Sequence, residues 1–173
     1  MTIMKHRVGL AVVITAALAS GDAVAGSTPG GHPPAAADAT IGCPDTDPQT
    51  TPNEPNQDLT TLVPGQPAGA IVCRYHGQDD APSLPRSLAN SATIDADRAA
   101  ALAAAFNSGQ PGPSDLINCP RDDDSTIRVY YSYQDGRTVV LTGRRTGCQL
   151  ISNGTTGRFE STAAQQQLAN LVG

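Results

Sequence analysis

The sequence predicts an α+β domain: an antiparallel sheet of four or five strands with two helices on one face, held by two disulfides. Three observations lead to this fold class. Apolar residues alternate along several short segments, alanine-rich amphipathic segments lie between and after them, and four cysteines form two Cys-Pro-to-Cys segments of almost equal length. The 173 residues divide by composition into a signal peptide (1–25), a proline-rich spacer (26–60) and one domain (61–173).

The first residues have the parts of an export signal. Lys5 and Arg7 precede an uncharged apolar stretch from Val8 to Ala19, and Ala23 and Ala25 are the small residues that a signal peptidase reads. This stretch is far shorter than the roughly 20 residues that cross a bilayer, so we expect cleavage after Ala25. The protein should then be extracytoplasmic, secreted or associated with the cell envelope, without a membrane span.

The segment 26–60 is expected to be a disordered spacer. It holds half of the 14 prolines, and Ile41 is its only large aliphatic residue before Leu59. Such a segment buries too little apolar area to offset the entropy cost of ordering, roughly 1–2 kcal/mol per residue for the backbone. We expect Cys43 to tether it to the domain.

The first predicted strand runs from Ala68 to Tyr75, between turn-forming glycine and proline residues. Its residues alternate, so Cys73 and Tyr75 should face one side of the sheet and Val72 the other. A helix is predicted next, because Asp95 is a suitable N-cap and the segment 99–106 is almost entirely helix formers. Asn107-Ser108-Gly109 and the following prolines should end it. Its buried face should consist of Ala99, Leu102, Ala103 and Phe106.

A β-hairpin is predicted around Gln134-Asp135-Gly136, in a region without proline after Pro120. A two-residue loop would pair Tyr131 with Val140. A three-residue loop, with Gly136 left-handed, would pair Tyr131 with Val139 and collect the apolar residues on one face. We therefore predict the three-residue loop.

The remaining elements follow from local pattern. A strand is predicted over 148–152, Asn153-Gly154 should form a tight turn, and 155–159 could supply a fifth strand at the edge. Ser161 is a suitable N-cap for the last helix. The apolar side of that helix should consist of Ala164, Leu168, Leu171 and Val172.

Four cysteines behind an export signal favour structural disulfides over catalytic or metal-binding thiols. Three pairings are possible. The two similar Cys-Pro-to-Cys segments favour Cys43 with Cys73 and Cys119 with Cys148. Each bridge would close a loop worth roughly 3.5 kcal/mol in the chain-entropy account of disulfides.

Composition excludes several partners. The net charge is −5, and loss of the signal peptide removes the only lysine, Lys5, so the mature chain is acidic. Nucleic acids and anionic membranes are bound by basic patches, and we expect neither as a partner. Aromatic residues are 3% of the chain and Trp is absent, which leaves little material for stacking platforms. No cofactor signature is present.

No set of residues has a catalytic or metal-binding pattern. His76 is the only histidine of the domain, and Ser83 lies near it without a nucleophile motif. The run Asp122-Asp123-Asp124 lacks the glycine and glutamate of a calcium loop. We interpret His76, the aspartate run and Arg144-Arg145 as solvated loop residues, although a glycosidase-type carboxylate pair stays open.

Five motifs carry a resemblance: Val63-Pro64-Gly65, Cys73-Arg74-Tyr75, Tyr133-Gln134-Asp135-Gly136, Gly147-Cys148 and Ser152-Asn153-Gly154. With them, residues 43–172 resemble a group of small exported two-disulfide proteins from high-GC Gram-positive bacteria. That resemblance implies no particular activity.

The C-terminal half is also similar to the bacterial subtilisin-inhibitor family, in its Cys-Pro, its hairpin and a second Cys before a glycine-containing turn. This resemblance implies that Pro120, Arg121 and Asp122 form a protease-binding loop, with Arg121 presented to the protease. Two departures are the longer loop of the first disulfide and the acidic run after Arg121.

The sequence thus predicts an exported, non-catalytic module that binds an unidentified protein or cell-envelope component. A secreted serine-protease inhibitor and a small secreted hydrolase are the alternatives. A concave pocket with convergent titratable groups would favour an enzyme, and Arg121 at the tip of a convex loop would favour an inhibitor.

Overall fold

Seven strands and two helices form the domain in a computed structural model that describes residues 42–49, 60–84, 86–115 and 119–173. In chain order they are β1 (Gly69–Tyr75), β2 (Leu88–Asp95), α1 (Ala96–Asn107), β3 (Pro111–Gly112), β4 (Thr126–Ser132), β5 (Thr138–Arg144), β6 (Leu150–Ser152), β7 (Gly157–Phe159) and α2 (Thr162–Val172). All strands pair antiparallel in one sheet, in the order β2-β1-β4-β5-β6-β7-β3. The α+β class is confirmed. The predicted signal peptide and the spacer segments 26–41 and 50–59 lie outside the described residues.

The sheet has more strands than the four or five predicted. The sequence of β2 is LANSATID, whose small and polar side chains mostly face solvent at the sheet edge, so it shows no apolar alternation. The short β3 pairs with β7 through Pro111 opposite Arg158. Proline tolerates such an edge position, because the N–H that it lacks is not needed on the open side of the strand.

The β4–β5 hairpin has the predicted register. Tyr131 lies opposite Val139, and the Gly136 amide donates to the Tyr133 carbonyl at 3.0 Å. Gly136 has a φ of 81°, in the left-handed region that glycine adopts without strain. The three-residue loop is therefore confirmed.

Both helices begin at the predicted caps and pack on the same face of the sheet. The Asp95 carboxylate accepts a hydrogen bond from the Arg98 amide at 2.9 Å, and the Ser161 hydroxyl accepts one from the Ala164 amide at 3.2 Å. Neither helix is long and apolar enough to cross a membrane, among the residues that the structure describes. The core between helices and sheet includes Val72, Leu102, Phe106, Val129, Tyr131, Val139, Leu141, Ile151, Leu168 and Val172.

Residues 42–49, which we call the strap, lie on the opposite face of the sheet, where Cys43 packs against buried residues of β1, β4 and β5. Its backbone pairs with the start of β2: the Asp47 amide donates to the Arg86 carbonyl at 2.9 Å, and the Leu88 amide donates to the Asp45 carbonyl at 2.8 Å. The prediction of a disordered spacer therefore does not hold for these residues. Backbone pairing and a buried carboxylate, rather than apolar area, order them.

All four cysteines are paired as expected from the sequence. The bond between Cys43 and Cys73 joins the strap to β1, with the two Cα atoms 5.7 Å apart. The bond between Cys119 and Cys148 joins the segment before β4 to the turn after β5, with a Cα separation of 5.6 Å. The bridges thus fasten the two segments that lead into the central strands.

Candidate functional site

A cleft of about 780 Å³ opens at the C-terminal end of β1. It is formed by the turn after β1, by Arg86 just before β2, and by the acidic segment before β4. We call it the His76 cleft. Its lining residues are His76, Gly77, Gln78, Asp79, Pro82, Arg86 and Asp124.

The turn after β1 is fixed by close backbone contacts. The Gln78 amide donates to the Asp123 carbonyl at 2.7 Å. A Cβ atom at Gly77 would collide with that same carbonyl oxygen, so only glycine allows the two segments to approach this closely. The acidic segment is thereby held against the cleft.

Arg86 occupies a strained backbone position at the cleft wall. Its φ is 66°, a left-handed conformation that residues other than glycine seldom adopt. The Arg86 amide donates to the His76 carbonyl and its own carbonyl accepts from the Asp47 amide, both at 2.9 Å. The end of β1 and the strap therefore hold this residue in place, and its side chain is exposed.

The aspartate run is not simply solvated, and neither is Arg144. The Asp124 carboxylate accepts hydrogen bonds from Gln78 Nε2 at 2.8 Å and from Arg144 Nη1 at 2.9 Å. Arg144 Nε also lies 3.6 Å from Asp122 Oδ2. This network joins the floor of the His76 cleft to β5 and corrects the expectation of free loop charges.

Asp123 serves a structural role beside this network. Its carboxylate accepts hydrogen bonds from the Ser125 amide at 2.9 Å and from Thr146 Oγ1 at 2.6 Å. Burial raises the pKa of Asp123, but the hydrogen bonds from Ser125 and Thr146 outweigh it, so the net pKa is below the ordinary value. The carboxylate is thus kept ionised and pinned to the turn after β5.

A smaller pocket of about 80 Å³ adjoins the cleft, and Arg86 lines both. We call it the arginine pocket. Its lining residues are Asp47, Gln49, Arg86, Thr126, Arg128, Thr142 and Arg144. Three of these carry a guanidinium and one a carboxylate, in a protein whose net charge is −5.

The base of the arginine pocket is a buried ion pair between the strap and β4. Arg128 Nε lies 2.5 Å from Asp47 Oδ1, and Thr126 Oγ1 donates to Asp47 Oδ2 at 2.7 Å. Burial raises the pKa of Asp47, but the hydrogen bonds from Thr126 and Arg128 and the Arg128 charge outweigh this effect. The net pKa is below the ordinary value, so the carboxyl stays ionised.

No protein-family model, curated protein or solved structure matches this chain.

His76 lines the cleft with its imidazole ring close to Asp80. Its Nδ1 atom is buried without a hydrogen-bond partner among the described residues and lies 4.0 Å from Asp80 Oδ2. Ser83 is exposed, and no hydrogen bond joins it to His76 in the described structure.

The proposed inhibitor loop is exposed at Pro120 and Arg121, whereas Asp122 is partly buried. Arg121 has a φ of 62°, and Asp122 Oδ1 accepts from the Asp124 amide at 3.0 Å, so the segment is a tight turn. A substrate-like peptide binds in an extended conformation. The loop is braced by the Cys119 bridge as expected, but its backbone is not extended.

A second cleft, of about 420 Å³, lies beside the β4–β5 hairpin. Its charged groups already have partners: Arg137 Nε lies 2.7 Å from Asp135 Oδ2, and the guanidinium stacks 4.7 Å from the centre of the Tyr133 ring. This cleft therefore offers fewer unpaired groups to a ligand than the His76 cleft does.

Asp47 and Arg86 were not predicted as site residues, because one lies in the predicted spacer and the other in a loop. The sequence does indicate that Arg128 has an acidic partner. Arg128 alternates with Val129 in β4, so its side chain must point into the sheet face opposite the helices, and a buried guanidinium requires an acidic partner. Nothing in the sequence identifies Asp47 as that partner.

Proposed function

We propose that this protein is an exported, non-catalytic binding module and that the His76 cleft is its ligand site. The observation that carries this proposal is the convergence of His76, Arg86 and Asp124 around one concave surface. The two disulfides indicate an oxidising, extracytoplasmic environment. The ligand is accordingly a molecule or polymer end met outside the cytoplasm.

Preorganisation supports binding at this cleft. Arg86 is fixed by backbone hydrogen bonds on both sides, and the strap that holds it is anchored by the Cys43 bridge and by Asp47. A ligand would therefore not have to order these segments, which reduces the entropy cost of association. No general base is hydrogen-bonded to a nucleophile among the described residues of the cleft, which supports binding rather than turnover.

An NMR titration of the ¹⁵N-labelled protein tests the proposal. The panel consists of amino acids, dicarboxylates, monosaccharides and inorganic phosphate. We expect saturable shift changes at the amides of His76, Gln78 and Arg86, reduced by Gln78→Ala and unchanged by Arg137→Ala in the hairpin cleft. Shift changes centred on the hairpin cleft, or none with any member of the panel, would contradict the assignment.

A further inference from the structure

We propose that the His76 cleft recognises a carboxylate group, bound by Arg86 where the cleft meets the arginine pocket. This inference rests on the proposed function, because it assigns the ligand class of the same site.

Two of the three arginines that line the arginine pocket have acidic partners. Arg128 is paired with Asp47, and Arg144 is paired with Asp122 and Asp124. Arg86 is exposed and has no acidic partner among the described residues. This residue lines both cavities, and its guanidinium is therefore available to pair with an anion.

The backbone of Arg86 is fixed in a way that suits it to bind a carboxylate. Its backbone conformation is strained and is fixed on one side by His76 and on the other by Asp47. A guanidinium is a planar fork that matches a carboxylate with two parallel hydrogen bonds. With its backbone fixed, Arg86 loses less freedom on binding than an arginine in a mobile loop would lose.

Nearby aspartates favour a carboxylate over a phosphate as the bound anion. Asp47 lines the arginine pocket, and Asp124 lines the cleft and accepts a hydrogen bond from Arg144. These fixed negative charges repel a doubly charged phosphate more than a singly charged carboxylate.

The rest of the ligand should carry hydrogen-bond donors. Asp79 and Asp124 line the wider cleft together with Gln78, and a carboxylate can only accept hydrogen bonds when it is ionised. A molecule with one carboxylate and a nearby amine or hydroxyl therefore fits both parts of the site.

The test titrates the ¹⁵N-labelled protein with acetate, its neutral analogue acetamide and inorganic phosphate, in a buffer without carboxylates. Acetate should shift the amides of His76, Gly77 and Arg86 saturably and more tightly than either other probe. Arg86→Gln should weaken acetate binding about tenfold or more, as expected for loss of a charge-assisted hydrogen bond. Arg86→Lys keeps the charge without the fork and should weaken it less.

Arg121→Gln is the matched control, since Arg121 is also exposed and also left-handed, with a φ of 62°. It should bind acetate like the unchanged protein. Unchanged acetate binding by a folded Arg86→Gln variant, or phosphate or acetamide binding as tightly as acetate, would overturn the carboxylate assignment and leave the cleft as a binding site. Absence of cleft shifts with every probe of both titrations would overturn the proposed function as well.

Discussion

Asp47 and Arg128 form an ion pair across 81 residues of sequence, with side chains only 2% and 1% exposed. Through this pair the strap is fixed to the central strand β4, on the face that the helices leave uncovered. The same carboxylate belongs to the segment that holds the Arg86 backbone. This one contact therefore contributes both to the attachment of the strap and to the position of Arg86 in the cleft.

Asp47→Ala should destabilise the protein by about 3–5 kcal/mol, because it leaves the Arg128 guanidinium buried without its acidic partner. Urea unfolding followed by circular dichroism measures the change. Asp45→Ala is the control, since the Asp45 side chain is exposed and only its backbone carbonyl bonds to β2. A loss below 1 kcal/mol for Asp47→Ala would show that the strap is not held as described.

Removing the first disulfide, by Cys43→Ser with Cys73→Ser, should cost roughly 2–5 kcal/mol and loosen the strap. Hydrogen exchange at the Leu88 amide reports on the strap directly, because this amide donates to the Asp45 carbonyl. We expect faster exchange there. Removing the second disulfide, between Cys119 and Cys148, is the control, and it should lower the stability without selectively speeding exchange at the Leu88 amide. Equal protection of this amide from exchange in both variants would contradict the role of the strap.

Ionisation of Glu160 should lower the free energy of unfolding as pH rises towards neutrality. Its carboxylate is buried, neither oxygen has a hydrogen-bond partner among the described residues, and burial raises its pKa to about 7 despite the nearby Arg145. The raised folded-state pKa means that the protonated form stabilises the fold. That contribution is complete below the unfolded pKa near 4.5 and is lost as pH rises through about 7.

Glu160→Gln should therefore be more stable than the unchanged protein at pH 8, on the order of 2–3 kcal/mol, and nearly equal to it at pH 4. Thermal unfolding across pH 4–8 measures this difference. A Glu160→Gln variant with the same pH profile as the unchanged protein would show that this carboxyl does not titrate near neutrality.

Trypsin and subtilisin should keep full activity in the presence of micromolar protein. The left-handed Arg121 cannot lie extended in a protease cleft, and the aspartates that follow it add negative charge on the far side of the cleaved bond. Residual activity against a chromogenic substrate measures this. Stoichiometric inhibition that Arg121→Ala abolishes would restore the inhibitor alternative.

The features predicted from the sequence are those set by neighbouring residues. The three-residue hairpin loop follows from Gly136 and the apolar alternation beside it, and the helix starts follow from Asp95 and Ser161. Each of these features depends on contacts between residues that are close in sequence, so the local sequence is enough to predict it.

The features that the sequence did not predict are set by distant contacts. The edge strand β2 has no apolar pattern because one edge and much of its surface face solvent. The strap is ordered by pairing with β2 and by Arg128, neither of which is near it in sequence. The His76 cleft depends on both, so no local motif marks Arg86 as a binding residue.

The cleft at Arg86 should take up one ligand, which native mass spectrometry can detect. The protein is incubated with a low-molecular-weight extract of culture medium and desalted, and its mass is compared with those of Arg86→Gln and Arg121→Gln. We expect a single adduct at one-to-one stoichiometry on the unchanged protein and on Arg121→Gln, and its loss from Arg86→Gln. An adduct retained by Arg86→Gln, or no adduct on any of the three proteins, would contradict it.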